Sequence, residues 1–448
     1  MPSGNAGSSQ VKVRMYHVGF GDCFLMTIVG ADGAEHRVLI DCGTHSGTDR
    51  RKKNHPPEFW EIVKKLIGDL GPHKHIDVIV ITHRHRDHVH GFSQSEYWDG
   101  VSVGEIWMPW TEDPHNPQAT QVKGAQHDAA LHSFHALRAL RGAAPGSAST
   151  SAEALALNSL TNENAFATLA GLKADTTRYL PSEARLPQRL GALELTGVLP
   201  ADVTVHVLGP SRAEAVMRKM LPPANANKTY MKLQPMRSAV DLPDGEALEL
   251  GKVPSPFEDL WVQVEPPQLD ADDADLLFAV TSIAQSDPEA LAFSVDSAVN
   301  GTSLVLMFDV GGLRLLFTGD AQWGTWEMML DDPETKAILA QGSHLLKVGH
   351  HGSHNATPRE FVETYLPKSQ TQVAMVSVSP NVYESEGWKD IPRVPLLQAL
   401  HDHVDLVVRA DRKIDHDQRV ARDPKNRWTE VTLDVPKNSL LESGDRVG

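Results

Sequence analysis

Two cysteines in 448 residues, Cys23 and Cys42, are too few for a disulfide scaffold and suit a reducing compartment. Long apolar runs are also missing: none approaches the roughly 18–20 residues that a membrane-spanning helix needs. The opening "MPSGNAGSSQ" has no apolar core of a signal peptide, so the cytoplasm is the expected location and no membrane partner is expected. Positive charge is scarce, with 42 Lys+Arg against 58 Asp+Glu and a formal net charge of −16. That balance argues against a protein that coats nucleic acid non-specifically, which needs a basic surface. It leaves room for an enzyme that meets nucleic acid only at a metal-lined cleft. No repeat at solenoid periods is present, and 41 % hydrophobic with 22 % charged residues is the composition of a soluble globular protein.

What is present begins with strands. "VKVRMYHV" (11–18) alternates, and "CFLMTIV" (23–29) and "HRVLID" (36–41) flank the turn signal "GADGAE", which predicts a hairpin. A turn centred on 32–33 sets Cys23 opposite Cys42, with Cα atoms about 4.5–5.5 Å apart, and two buried thiols are expected there. Phe59, Ile62, Val63, Leu66, Ile67 and Leu70 recur at helical spacing and Gly71 stops the helix. "HIDVIVIT" (75–82) and 101–108 are predicted strands. From about 112 to 200 the pattern changes: a helix near 122–141 runs into "GAAPGSASTSAEALA", which reads as loop. After a strand at 203–210, a second irregular stretch extends to about 296. It includes the acidic "LDADDADLL" (269–277), read as a solvated face or loop. Two strands in "TSLVLMFDVGGLRLLFTGDA", then "LLKVGHHGSH", "QVAMVSVSP", a helix near 394–401, "VDLVVRAD" and "WTEVTLDV" complete an α/β pattern.

Histidine is not scarce, at 22 residues, and four of them crowd into "THRHRDHVHG" after the apolar strand. His83, His85, Asp87 and His88 form H-x-H-x-D-H. At a strand end the turn aims His83 and His85 at one point and Asp87 and His88 at a neighbouring one. Imidazole and carboxylate without thiolate suit zinc, manganese or iron and do not choose among them. Further ligands are expected at later strand ends. Asp320 follows the strand of "LLFTGDA", with Gly319 allowing a sharp exit, and His350 and His351 leave "LLKVGHHGSH" between glycines.

The series "HVGFGDCFLM", "LIDCG", "THRHRDHVHG", "NGTSLVL", "LLFTGD", "LLKVGHHGS" resembles the metallo-β-lactamase superfamily. It is most similar to the branch that holds the soluble domain of the competence protein ComEC and the bacterial phosphorylcholine esterases. The resemblance runs in order from about 15 to 410. It implies an αββα sandwich: a tail over 1–10 and one domain over 11–448, with insertions at about 112–200 and 212–296. It also implies two divalent metal ions, Zn2+ or Mn2+, on one edge between two sheets. His83 and His85 would hold one and Asp87 and His88 the other, with Asp320 bridging and one of His350 and His351 as the last ligand. The branch favours His351 for that place and leaves His350 facing the cleft. Asp87 and His350 are the candidate catalytic residues, and Asp41 of "LIDCG" falls where the superfamily has a buried aspartate that orients the ligands.

This chain departs from the pattern in two places. No P-G-H-[TS] turn supplies the further histidine ligand that many superfamily members carry. His115 in "DPHNP" is the nearest substitute, and one metal is expected to be short of protein ligands. The histidine-proline pair that the branch offers after "SVSPNVY" is replaced by "ESEGWKDIP". His127, His132 and His135 on the first insertion's helix are expected at the surface. The expected function is a binuclear hydrolase of a phosphoester, with nucleic acid and nucleotide among the candidate substrates, acting through hydroxide formed at the metals. Hydrolysis of a non-phosphate ester, lactone or β-lactam, and a metal-binding scaffold whose insertions recruit a partner protein, are the alternatives; fold does not fix substrate.

Overall fold

A computed structural model describes residues 7–45, 59–143, 150–160, 162–217, 219, 228, 288–353, 356–366, 373–379, 391–414 and 417–436. Strands β1 (Ser8–Tyr16), β2 (Cys23–Gly30), β3 (Glu35–Cys42), β4 (His75–Val80), β5 (Ser102–Pro109) and β6 (Thr176–Leu180) lie side by side in chain order. The second sheet is again a sequential walk: β7 (Gln188–Leu190), β8 (Val203–Gly209), β9 (Val305–Val310), β10 (Leu313–Phe317), β11 (Leu345–Lys347), β12 (Val373–Val376) and β13 (Leu406–Arg409). The chain then returns to the first sheet, where β14 (Val420–Arg422) and β15 (Trp428–Asp434) line up outside β1. Both walks start antiparallel and turn parallel, at β3–β4 in one sheet and β10–β11 in the other. The parallel stretches put the ends of β3, β4, β10, β11 and β12 at the positions from which loops bind ligands in such sheets.

The alternation of the strands explains the layering. Val11, Val13, Met26, Val38, Val78 and Val80 of the first sheet pack on Val205, Leu306, Phe308, Leu315 and Val373 of the second, forming the central core. The outer face of the first sheet (Leu25, Leu39, Ile76, Ile79, Ile106) is covered by α1 (Phe59–Asp69) through Phe59, Ile62, Val63, Leu66 and Ile67. The short α2 (Arg86–Val89) follows β4. The outer face of the second sheet is covered by Trp326, Met329 and Leu330 of a helix at Trp323–Asp331 and by Leu396 and Leu400 of one at Val394–His403. The layer order is helix, sheet, sheet, helix: an α/β sandwich, as expected. Among the described residues no helix is long and apolar enough to cross a membrane.

Four expectations are corrected. Ser8–Gln10, expected in a tail, extend β1, because Gln10 pairs with Asp434 and the Ser8 N–H donates to Asp202 Oδ2 at 2.6 Å. Strands β6 and β7, inside the stretch read as an insertion, belong to the two sheets, β6 pairing with β5 and β7 with β8. The long helix there starts earlier than expected, as α3 (Pro117–Ala143). "TSAEALALNSL", read largely as loop, is helix α4 (Thr150–Leu160). Its small residues are the reason it looked like a loop and the reason it packs. Ala152 and Ala156 are buried against Leu137 of α3 and against Ala292 of α5 (Pro288–Asn300). The acidic run 269–277 and the segment "NVYESEGWKD" lie outside the described residues.

Cys23 and Cys42 do face each other, as two buried free thiols. The register expected from the turn holds only at that pair. A bulge after Cys23 sets Phe24 opposite Ile40, so the rest of the hairpin is shifted by one residue.

Chain crossings near the β4 loop demand glycine. A Cβ on Gly43 would lie 2.3 Å from the Asp87 carbonyl carbon and from the His88 nitrogen. Gly43→Ala should therefore lower unfolding stability by about 1–3 kcal/mol through overpacking. Gly124→Ala, on α3 with nothing within 4 Å of its Cβ, should be neutral or stabilising by up to about 1 kcal/mol. Urea midpoints of the two variants check the contrast, and equal midpoints would contradict it.

Candidate metal centre

The loop after β4 turns at once into α2, with His85 in extended conformation (φ −61°, ψ 149°) just before it. That turn sends successive side chains apart. His83 and His85 approach each other, Nε2 to Nδ1 at 3.0 Å, while Asp87 and His88 face the second sheet. There, Asp87, His88, Asp320 and His351 each present one donor atom, all within 4.8 Å of one another and all buried. Within the group His88 Nε2 lies 3.3 Å from Asp320 Oδ2 and 3.9 Å from Asp87 Oδ2, and His351 Nε2 lies 3.4 Å from Asp87 Oδ2.

The opposite nitrogen of each imidazole in the group is engaged. His88 Nδ1–H donates to Asp41 Oδ2 at 2.7 Å, and His351 Nδ1–H donates to the Ser377 carbonyl at 2.8 Å. Both arrangements leave Nε2 turned inward, which is how a ligating imidazole is oriented by its neighbours. Asp41 is itself gripped by Thr82, whose N–H and Oγ1–H donate to its two oxygens at 2.8 and 2.7 Å. Asp320 uses Oδ1 elsewhere: it accepts from Lys347 Nζ at 3.1 Å and from the His350 N–H at 3.0 Å, reserving Oδ2 for the group. Asp87 likewise spends Oδ1 on Asn158 Nδ2 at 3.0 Å. Two buried carboxylate oxygens and two imidazole nitrogens, each backed by a fixed partner, are a donor set that fits a divalent cation.

The electrostatics divide the histidines. Burial disfavours the imidazolium at His88, but Asp320, Asp41 and Asp87 outweigh it and raise its pKa well above the ordinary value. His351 is raised likewise, its hydrogen bond to Asp87 and the charge of Asp320 overcoming burial. Burial also pushes the Asp320 and Asp87 carboxyls up, yet Lys347 and His88 for the first, and His88 and His351 for the second, hold both well below the usual carboxylate range. His83 and His85 go the other way. Burial together with neighbouring imidazoles lowers His83 well below normal, and burial takes His85 to about 4, so both are neutral.

His350 and His351 take different places. His351 joins the group; His350 reaches it only through its backbone N–H, while its Nδ1 lies 2.8 Å from Ser353 Oγ. Both residues are held in left-handed backbone, at φ 45° and 54°, as is Asp41 at φ 56°. Such conformations cost on the order of 1–3 kcal/mol each in non-glycine residues and persist where surrounding contacts impose them. His115 is exposed, its N–H bonded to Asp113, and takes no part; His132 and His135 are exposed as expected and His127 half-buried.

Residues to which the sequence assigned no role complete the surroundings. Lys347, 2 % exposed, is paired with Asp22 as well as Asp320. Asp22 also accepts from Ser377 Oγ. From α4, in the first expected insertion, come Asn158 and Ser159, and from α5, which runs past the end of the second, come Asp296 and Asn300, all buried. The "GD" directly before β2 and the "LLK" before the histidines were visible, but nothing in their spacing marked them. Asn158, Ser159 and Asp296 sit in small, polar helices that carry no motif.

An α/β sandwich with a buried His/Asp cluster at its strand ends is compatible with a metal-dependent hydrolase. No protein-family model matches the chain. Over 139 residues, 31 % of its length, the chain is 34 % identical to ComE operon protein 3 of Bacillus subtilis (strain 168). The match spans 15 % of that protein's length.

Lys347 sets a test of the charge balance. Lys347→Met leaves Asp22 and Asp320 buried without their cation, which should destabilise the metal-free protein by about 3–5 kcal/mol. Zn2+ should restore part of that loss. Urea unfolding in EDTA and in Zn2+ measures both, and an unchanged midpoint in EDTA would refute the balance.

Proposed function

We propose that this chain is a binuclear metal-dependent hydrolase of a phosphoester, with a phosphodiester or nucleic acid as the leading substrate class. One observation carries the reading: Asp87, His88, Asp320 and His351 converge within 4.8 Å, buried, with every donor backed by a second partner. His83 and His85 would hold the other cation, and Asp320 Oδ2 faces the first group. Divalent ions, zinc or manganese, supply Lewis acidity to such a site and lower the pKa of water there. The preference for phosphorus rests on the resemblance of the motifs to the ComEC and phosphorylcholine-esterase branch, which the partial identity to ComE operon protein 3 supports.

The chain's own groups have separable tasks. Asp41, Lys347 and Asn158 fix the carboxylates and imidazoles before substrate arrives, so little reorganisation is needed during reaction. Burial of the ligands excludes bulk water from them. His350, with Nδ1 engaged by Ser353, keeps Nε2 for a phosphoryl oxygen or for protonating the leaving alkoxide. Burial lowers its pKa, which makes its imidazolium a stronger acid and a smaller fraction of the population. The helices α4 and α5 are a surface for a protein partner, and the cytoplasm is the proposed location.

The test uses protein stripped with EDTA and reloaded with Zn2+ or Mn2+, offered bis-p-nitrophenyl phosphate, single-stranded DNA, RNA and a lactone. Metal-dependent phosphodiester turnover is expected; turnover of the lactone alone would move the protein to carboxylic esters. His351→Ala should lose metal. His350→Ala should keep its metal while kcat falls by about 10²–10⁴-fold. Metal analysis with the reverse pattern would exchange the two roles.

A further inference from the structure

No P-G-H-[TS] turn supplies a further histidine, so the cation of His83 and His85 is left with those two and the bridging Asp320. The structure brings a further donor to them from the far side of the sequence. Asn300 closes α5 and opens "NGTS", a turn fastened to the β4 loop: the Leu304 N–H donates to the Thr82 carbonyl at 2.8 Å. The turn also underpins Asp320, whose N–H donates to Ser303 Oγ at 3.1 Å. Fixed in this way, Asn300 Oδ1 lies 2.9 Å from His85 Nδ1, which is itself 3.0 Å from His83 Nε2.

The hydrogen positions around these atoms can be assigned by following donors. Thr82 Oγ1 gives its proton to Asp41 Oδ2, so toward His83 Nδ1, at 3.1 Å, it accepts. The His83 proton is therefore on Nδ1 and Nε2 carries a lone pair. The Asn300 amide is oriented by Nδ2, which donates to Asp296 Oδ2 at 3.3 Å, so it is the carbonyl oxygen that faces His85. His85 Nε2 lies 3.1 Å from Ser159 Oγ and 3.5 Å from Asp296 Oδ1. Without a cation, a proton on His85 Nδ1 donated to Asn300 Oδ1 satisfies this side of the ring. With the His85 proton moved to Nε2, toward Ser159 and Asp296, Nδ1 turns a lone pair to the point that His83 Nε2 and Asn300 Oδ1 already face. Two imidazole nitrogens and an amide oxygen converging within about 3 Å of His85 Nδ1 are a donor set that a divalent cation would fit.

We infer that Asn300 is a further protein ligand of the His83–His85 cation beside the bridging Asp320, in place of the histidine this chain lacks, and that Asp296 and Ser159 orient Asn300 and His85 from α5 and α4. This rests on the metal-dependent reading above. An amide oxygen is a harder donor than imidazole, so the site should tolerate Mn2+ better than a three-histidine site would.

The experiment follows metal binding and not turnover. Full-length protein stripped with EDTA is titrated with Zn2+, Mn2+ and Co2+ separately, and bound metal is counted by elemental analysis. The wild type should take up two equivalents. Asn300→Ala should keep one at unchanged affinity and bind the other at least about 10-fold more weakly. Asn300→Asp retains an oxygen donor and should bind two equivalents, with shifted visible bands in the Co2+ form because the ligand field has changed. Circular dichroism of the stripped variants checks the fold, and Asn300→Asp carries the test if Asn300→Ala does not fold. Two equivalents at wild-type affinity in Asn300→Ala, or an unshifted Co2+ spectrum in Asn300→Asp, would leave Asn300 as a hydrogen-bond acceptor and overturn the inference alone. A wild type that binds no cation would overturn the proposed function with it.

Discussion

Negative charge held out of water is the constraint on which the rest of this site depends. Asp22, Asp41, Asp87 and Asp320 are each no more than 4 % exposed and stand around one imidazole, that of His88. Carboxylates this deep are tolerated only when matched by positive charge and hydrogen bonds. The chain meets the demand in two ways. Lys347 is a permanent cation between Asp22 and Asp320, and the surrounding carboxylates raise the pKa of His88 and His351 and so favour their protonated forms. The protonated imidazoles are replaceable. A divalent ion brings the same charge to the same place and must displace protons from nitrogen to do so, which couples metal affinity to pH. Lys347 is not replaceable in this sense, because on Asp320 it holds Oδ1, the oxygen turned away from the group.

The sandwich makes this concentration of charge possible by delivering it from rigid elements of both sheets. Asp41, His83, Asp320 and His351 each follow or end a strand whose side chains are locked in the central or outer cores. The close approach at Gly43 seats the β4 loop against the end of β3, and Gly319, at φ 51°, lets β10 turn so that Asp320 faces inward. Three site residues in left-handed backbone show that the loops are not relaxed. Contacts with Thr82, Asp320 and Ser377 impose those conformations, as expected where function outweighs local preference.

Much of this was legible beforehand, for physical reasons that differ by element. Strands with apolar alternation and the α1 stripe from Phe59 to Ile67 were readable because burial on one face leaves a period in the sequence. The H-x-H-x-D-H tract and the residues after β10 and β11 were readable because ligand types at strand ends are rare. Strands β6 and β7 escaped because three to five residues carry no period, and α4 because alanine and serine give little contrast between faces. Lys347 and Asp22 could not be singled out: a lysine within an apolar strand and an aspartate beside a glycine have many structural uses. Only the fold shows that they neutralise each other next to Asp320.

The division of labour between sandwich and added helices bears on substrate choice. The sheets and their loops supply most of the charged groups, whereas α4 and α5 supply, besides Asp296, amides and a hydroxyl: Asn158 on Asp87, Ser159 on His85, and Asn300 on His85. The charged set fixes what chemistry the centre can do, because it sets how many cations are held and how strongly. The helices stand over the histidines and touch them directly, so they decide which side of the centre remains open and what shape reaches it. A sandwich of this kind can therefore keep its chemistry while its substrate changes with the helices laid across it. Residues 150–160 and 288–300 thus touch the centre from outside the two sheets, and the sandwich alone does not fix the substrate.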